Sequence, residues 1–223
     1  MQTLKVIGLG GIAEYLLPPL LRYLTYSDYS DTVVTLVDGD SFEPKNLSRQ
    51  SFRHIGNKAE VRATELREVF PQLTIKYIGE YVGDANVNMV INEGDVVLLC
   101  VDNHSTRRLV GARCEALDNI CLITGGNEYT DGNVIVFVKK DGNALKPTIT
   151  RYHPEIAEAE GDHPHDIGCD IQVVSSPQLV PMNNLISGLM LSTLYVYLVD
   201  CLNYCEIQID MKRGSARALR LPL

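Results

Sequence analysis

Short apolar runs recur along the first 140 residues of the chain, and nearly every one stops at a glycine or an acid. "LKVIGLGG" (4–11) reads as a buried strand breaking into a glycine turn, and "TVVTLVD" (32–38) as a second strand ending on Asp38. "TIKYIGEYV" (74–82), "DVVLLCVD" (95–102) and "ICLITGG" (120–126) give three more. Helical patterns fall between them. Residues 12–24 form one, with Pro18 and Pro19 expected to kink or divide it. Residues 57–70 form an amphipathic helix with Val61, Leu66, Val69 and Phe70 on one face, and 105–117 form the next.

Strand and helix alternate, and the strands are continuously apolar. That pattern belongs to a parallel sheet covered by helices on both faces, a Rossmann-like α/β fold. "GNVIVFV" (132–138) and "KPTITRY" (146–152) read as an antiparallel hairpin or meander toward the C-terminus. Residues from about 153 to 181 are acidic, His- and Pro-containing and without period, which reads as a loop or crossover. A long helix over 182–202 and a strand over 205–211 follow, and one domain spanning 1–223 is the economical organisation.

Composition narrows the function classes. The 223 residues carry 20 basic and 28 acidic side chains, a net charge of -8, which argues against a general nucleic-acid binder. The late apolar stretch 185–199 falls short of the roughly 20 residues a membrane helix needs, and Ser187, Ser192 and Thr193 interrupt it. The N-terminus has no secretory pattern, and the six cysteines are scattered, with Cys100 and Cys121 inside apolar runs. A cytoplasmic protein with reduced thiols is the expectation.

Gly8-Leu9-Gly10-Gly11-Ile12-Ala13 matches G-x-G-x-x-G/A between a strand and a helix, where backbone N–H groups can approach phosphate. Asp38, at the end of the next strand, can accept hydrogen bonds from ribose. This much does not choose between NAD, FAD and ATP. The polar cluster that follows, with Asn46, Arg49, Gln50 and Lys58, has no use in hydride transfer. It suits an enzyme that breaks a nucleoside triphosphate and must stabilise charge on the phosphates. Asp102, at the carboxyl end of its strand, is placed to hold magnesium.

GxGG at the first turn, D-G-D-x-x-x-x-x-N-L-x-R-Q after the second strand, "GNKA" opening the next helix and "VDN…R" after the fourth strand resemble the ThiF/MoeB/HesA family. These are the ubiquitin-activating-enzyme-like adenylyltransferases. The resemblance covers residues 4–138 and, more loosely, 166–200. It implies that ATP and Mg2+ adenylate a C-terminal carboxylate, typically of a ubiquitin-like or sulfur-carrier protein, in a homodimer. By position, Gly8, Gly10 and Gly11 would meet the phosphates and Asp38 the ribose, with Asp40 in support. Asn46, Arg49 and Gln50 would hold the phosphates, Lys58 would bridge ribose and phosphate, and Asp102 would coordinate magnesium.

The chain departs from the family pattern in having essentially nothing before Leu4, a short stretch between Arg49 and Lys58, and no two C-x-x-C pairs. Cys201 and Cys205 alone cannot make a four-cysteine site, so no structural zinc is expected. Cys169 lies in the crossover, where family members that pass their substrate on as a thioester or persulfide often place a cysteine. His163 and His165 could assist such a thiolate, and Asp166 and Asp170 would oppose it. His153, His163, His165 and Cys169 could in principle bind a metal, although acidic loops containing His are more often solvated. The Tyr-rich stretch 23–31 reads as surface and helix-end packing, with partner binding as the functional alternative. The helix over 182–202 offers Leu185, Ile186, Leu189, Met190, Leu194 and Val196, and so wants burial on more than one side. Two other readings stay open: a non-catalytic binding or scaffold subunit of this family, and an NAD-dependent oxidoreductase.

Overall fold

The apolar runs pair side by side because each can bury both faces. The computed structural model describes residues 3–159 and 179–223. Its elements are β1 (Thr3–Ile7), α1 (Gly11–Thr25), β2 (Val33–Val37), α2 (Lys58–Val69), β3 (Thr74–Ile78), α3 (Val87–Val90), β4 (Val96–Leu99) and α4 (His104–Glu115). β5 (Ile120–Asn127), β6 (Asp131–Lys140), the short β7 (Asn143–Ala144), α5 (Pro154–Ala157), α6 (Val180–Leu198), β8 (Glu206–Asp210) and β9 (Ser215–Leu219) complete them. The sheet order is β3-β2-β1-β4-β5-β6-β8-β9, with β7 beside β6.

The β3-β2-β1-β4-β5 half is parallel, and from β5 to β9 every pairing is antiparallel. Along the central strands the two faces alternate cleanly. Leu4, Val6, Val34, Leu36, Val96, Leu98, Cys121 and Ile123 enter the core layer built with α1, α2 and α6. Ile7, Val37, Val97, Leu99 and Leu122 enter the opposite layer with Val110 and Cys114 of α4. Ile7 pairs with both Val37 and Leu99, so the carboxyl ends of β1, β2 and β4 finish level. The strand order reverses at β1, between β2 and β4. A crevice outside those ends is where α/β sheets bind ligands.

Several expectations are corrected. Pro18 and Pro19 do not divide α1, which is continuous over its 15 residues. Both prolines face outward, where the backbone acceptors left by their missing N–H groups can be solvated. On α2 the buried face is Ala59, Ala63, Leu66 and the following Phe70, whereas Val69 is 58% exposed. Residues 146–152 are not a strand. Pro147 has no N–H to donate to a ladder, and the segment coils through Arg151 N to Thr148 O and His153 N to Thr150 O. The antiparallel partners of β6 are instead β5, the short β7 and β8, and a further strand, β9, forms a hairpin with β8. Within the expected crossover, residues 154–157 form the helical turn α5, and the long helix runs over Val180–Leu198.

α5 is anchored to the antiparallel half by an ion-pair network. His153 sits between Glu155 (Nδ1 to Oε1, 2.8 Å) and the buried Glu206 of β8 (Nε2 to Oε2, 3.3 Å). Asn133 and Gln208 donate to Glu206 Oε1 at 3.0 and 3.1 Å. The bond to Glu206 leads in raising the pKa of His153 above 6.5, against the desolvation that opposes it. Burial pushes Glu206 upward, but His153, Asn133 and Gln208 outweigh it and hold its carboxyl below 4.5. The imidazolium contribution is therefore complete below the unfolded histidine value and is lost as pH rises through the raised folded value. The carboxylate contribution is lost as pH falls through the lowered folded value. We expect melting curves to show the parent more stable than His153→Gln in mildly acidic solution, the two converging at alkaline pH. Parallel profiles for the two proteins would mean that the clamp is not charged.

Candidate nucleotide-binding site

The turn after β1 is pinched on both sides. Gly8 has φ 85, and a Cβ there would lie 2.9 Å from Val101 N and 3.0 Å from Cys100 C. Its N–H donates to Val37 O at 2.9 Å, and Cys100 N donates to Ile7 O at 2.7 Å. The turn is thus fixed to the ends of β2 and β4 at once. Gly10 is the opposite case, since a Cβ there would meet nothing within 4 Å. It stands at the N-cap of α1, which has no side-chain cap, so the first-turn N–H groups have neither a helical partner nor a capping side chain. Open amides at the positive end of a 15-residue helix suit an anion.

Leu9, at the tip, is clasped from both directions. Its N–H donates to Asp38 Oδ2, and its carbonyl accepts from Gln50 Nε2 at 2.7 Å. Asp38 Oδ1 accepts the Asp40 N–H at 2.8 Å. Burial raises the Asp38 pKa, opposed by Lys58 and by the Leu9 and Asp40 N–H groups. Lys58 is itself buried and paired with Asp40, whose carboxylate is half exposed. Asn57 fastens this loop to α2: its Nδ2 donates to Asp38 O and Asp40 O at 3.0 and 3.2 Å, while its Oδ1 caps Glu60 N. Sequence reasoning, which placed Asn57 within the helix, missed that bridging role; an Asn opening a helical run is the N-cap signal that finds it.

The loop from Ser41 to Phe52 closes over the turn. Phe42 and Phe52 stack at 4.4 Å, Arg62 lies 5.4 Å over Phe42, and Arg62 also reaches Glu14 of α1 and Ser51 O. Asn46 is turned inward, its Oδ1 accepting Glu43 N at 2.8 Å across a 3₁₀ turn (Pro44–Ser48). Gln50 is likewise committed to Leu9, and its remaining Oε1 is a buried acceptor, which does not attract phosphate. The sequence assigns both to phosphate; the donor Nε2 of Gln50 is already spent on Leu9, whereas Asn46 engages only its acceptor Oδ1 in shaping the loop. Arg49 differs, because its Nε is buried without a partner and it pairs with no carboxylate among the described residues.

Asp102 follows β4, exposed, one residue beyond the Val101 that Gly8 packs against. Arg107 of α4 donates to Val101 O and Gly125 O at 3.0 and 3.1 Å and so ties the ends of β4 and β5 together. Burial lowers its pKa, and Asp102 opposes that shift. A single exposed carboxylate beside the open turn fits a magnesium ion that keeps several waters and takes phosphate oxygens as further ligands. Among the described residues no group of three or more His, Cys, Asp and Glu forms a protein-only metal cage. Burial pushes the Cys100 and Cys114 thiols up to about 12, which removes both as nucleophiles near neutrality. Cys169, His163 and His165 lie outside the described residues.

The ThiF family model matches residues 3–220. The chain is 28% identical over 156 residues to the molybdopterin-synthase adenylyltransferase of Escherichia coli K12, covering 68% of this chain and 60% of that protein. It is 31% identical over 137 residues to the SAMP-activating enzyme E1 of Haloferax volcanii, covering 60% of this chain and 48% of that protein. The chain therefore spans less than two thirds of the length of these relatives. Among solved structures, E. coli MccB with ATP superposes with a TM-score of 0.69 at 17% identity, over 98% of this chain and 63% of that one. PaaA superposes with a TM-score of 0.71 at 13% identity, over 99% and 64%. At these identities the structural likeness establishes the fold.

The two glycines should respond differently to the same substitution. Gly8→Ala forces a Cβ against backbone atoms at positive φ, a strain on the order of 1–3 kcal/mol, and should lower the melting temperature by several degrees. Gly10→Ala has room and a negative φ, so it should leave the melting temperature nearly unchanged while its methyl intrudes on the anion cradle and weakens nucleotide affinity. Equal stability of Gly8→Ala and the parent would show that the turn is not pinched.

Proposed function

The chain belongs to the ThiF family, and from that premise we propose that it is an ATP-dependent adenylyltransferase activating a C-terminal carboxylate. The observation that carries this reading is Arg49, a cation without a protein counter-ion in the loop whose next residue, Gln50, holds the open glycine turn. The turn's N–H groups and Arg49 bind the triphosphate, Asp38 and Lys58 receive the ribose side, and Asp102 would hold Mg2+. That ion would supply neutralisation of the phosphate charge. A carboxylate oxygen of the acceptor attacks the α-phosphorus, the bond to the bridging oxygen of the β-phosphate breaks, and pyrophosphate leaves. The product is an acyl adenylate. Arg49 stabilises charge on the phosphates as that bond breaks.

The acceptor we propose is a ubiquitin-like or sulfur-carrier protein, the substrate class suggested by the names of the molybdopterin-synthase and SAMP-activating relatives. Onward transfer at Cys169 belongs to the same proposal: its thiolate would attack the acyl carbon, and AMP would leave. No helix among the described residues is long and apolar enough to cross a membrane, and Cys100, Cys114, Cys121, Cys201 and Cys205 are free thiols, which supports a reducing cytoplasm.

Calorimetry should find ATP with Mg2+ bound and no preference for NAD, and tight NAD binding without ATP binding would overturn the reading. Arg49→Ala should slow ATP–pyrophosphate exchange by about 100-fold or more, at an unchanged melting temperature.

A homodimer is part of the proposal. Leu185, Tyr195 and Val199 of the α6 region remain exposed, and Tyr195 adjoins, through Tyr23, a groove of about 440 Å³ lined by Pro18, Pro19, Arg22, Tyr23 and Tyr26. Tyr23 and Tyr195 meet edge to face at 6.0 Å and join α1 and α6 into one apolar surface. Light scattering should give twice the 24.8 kDa chain mass. A monomer at all working concentrations would remove this part of the proposal.

A further inference from the structure

Arg49 has to be aimed by its backbone. Its Nε is buried without a partner and it pairs with no carboxylate among the described residues, so its own side chain does not fix its direction. On one side the chain is set by the 3₁₀ turn, where Arg49 N and Gln50 N both donate to Asn46 O, at 3.0 and 2.9 Å. On the other side the Gln50 amide grips Leu9 O at 2.7 Å. The segment immediately beyond, residues 51–53, is held by a different group of side chains.

Arg62 is the centre of that group. It stands one turn after Lys58 on α2, so the two cations project from the same side of the helix. Lys58 is paired with Asp40. Arg62 Nη2 donates to Glu14, in the first turn of α1, and to Ser51 O at 2.8 Å. Its Nη1 reaches Glu65 Oε2 at 3.3 Å, and its guanidinium lies 5.4 Å over the Phe42 ring, which stacks on Phe52. Ser51 Oγ donates to the other oxygen of Glu14 at 2.6 Å, and Arg53 N donates to Glu65 Oε1 at 2.7 Å. One guanidinium thus joins the start of α1, the second turn of α2 and the chain two residues past Arg49. The Arg62 and Glu14 side chains are only 11% and 12% exposed, so salt screens this pair little.

Arg62 is not a further phosphate ligand, because two carboxylates already take its charge. Stability alone is a poor reason for burying such a pair, since apolar groups of the same volume often do as well or better. Directional contacts suit a different task. Ser51 is held at both ends of its residue, its hydroxyl through Glu14 and its carbonyl by Arg62 directly. Resting on the reading that Arg49 binds the triphosphate, we infer that Arg62 is a positioning residue for Arg49. It locks the chain beyond Gln50 onto α1 and α2, with Glu14 and Ser51 as its partners, and so fixes where Arg49 stands beside the glycine turn. The same pairing neutralises Glu14, an acid near the helix end that the phosphates would meet.

The test is a double-mutant cycle on the full chain. Arg62→Met removes the cation, and Glu14→Gln/Arg62→Met removes both charges, which guards against a lone buried Glu14 that prevents folding. Each is made in the parent and in Arg49→Ala. A non-hydrolysable ATP analogue with Mg2+, and separately adenosine, are titrated calorimetrically onto each protein. We expect analogue affinity to fall about tenfold for both changes in the parent, and to change less than about twofold once Arg49 is absent. Adenosine carries no phosphate, and its affinity should stay within about twofold throughout. An equal loss with and without Arg49 would overturn the inference. So would unchanged analogue affinity in a folded variant whose melting temperature alone has dropped, the mark of a merely structural pair. Recovery of affinity in Glu14→Gln/Arg62→Met would overturn it too, because an uncompensated Glu14 charge would then explain the loss. A parent that does not bind the analogue, or an Arg49→Ala protein that binds it as well as the parent, would sink the triphosphate reading itself.

Discussion

The site depends on the peptide group at Leu9. Its N–H is fixed to Asp38 and its carbonyl to Gln50, so one residue of backbone is held by two side chains from a loop that begins at the end of the neighbouring strand. Without this clasp the 38–58 loop has little reason to fold over α1, since it is polar and offers few apolar anchors beyond Phe42 and Phe52. With it, Asp38 is partly buried, Lys58 is drawn inside to meet Asp40, and Asn57 staples the loop to the start of α2. What remains outside the internal network is Arg49. A cation left without a protein counter-ion, one residue from the Gln50 that grips the turn, is the feature on which the proposed triphosphate site rests.

Much of the parallel half was legible in the sequence, because the physics there is local and repetitive. Continuous apolar runs bury both faces, and each ends where a glycine or an acid must turn the chain. The parts that were not legible depend on atoms already engaged elsewhere. Gln50 has the chemistry to hold phosphate, but its Nε2 grips the Leu9 carbonyl and no longer offers that donor. Val69 fits the helical period of α2, yet the face is set by how closely the helix approaches the sheet, which favours Ala59 and Ala63. β9 escaped notice because Ser215–Leu219 alternates small and charged residues, and its strand character comes from pairing with β8.

The antiparallel half shows how thoroughly this fold satisfies a buried polar group when no ligand is involved. Glu206 is 2% exposed and receives Asn133, Gln208 and His153, with Glu155 closing the chain on the other imidazole nitrogen. There burial and hydrogen bonding are matched atom for atom.

At the carboxyl edge of the parallel strands that matching stops. Among the described residues the buried polar side-chain atoms without partners are Arg49 Nε, Gln50 Oε1, Arg107 Nε, Thr124 Oγ1, Asn127 Oδ1 and both amide atoms of Asn183. Arg49 and Gln50 follow β2, Arg107 reaches the ends of β4 and β5, Thr124 pairs with Leu99 at the end of β4, and Asn127 and Asn183 stand where β5 meets α6. Random packing defects would scatter over the core, and a poorly packed fold would not satisfy Glu206 so fully. Confinement of every such atom to one edge marks a surface whose hydrogen bonds are completed by something other than this chain. Of these atoms only Arg49 Nε and Arg107 Nε are cationic donors, and they come from the segments that follow β2 and β4.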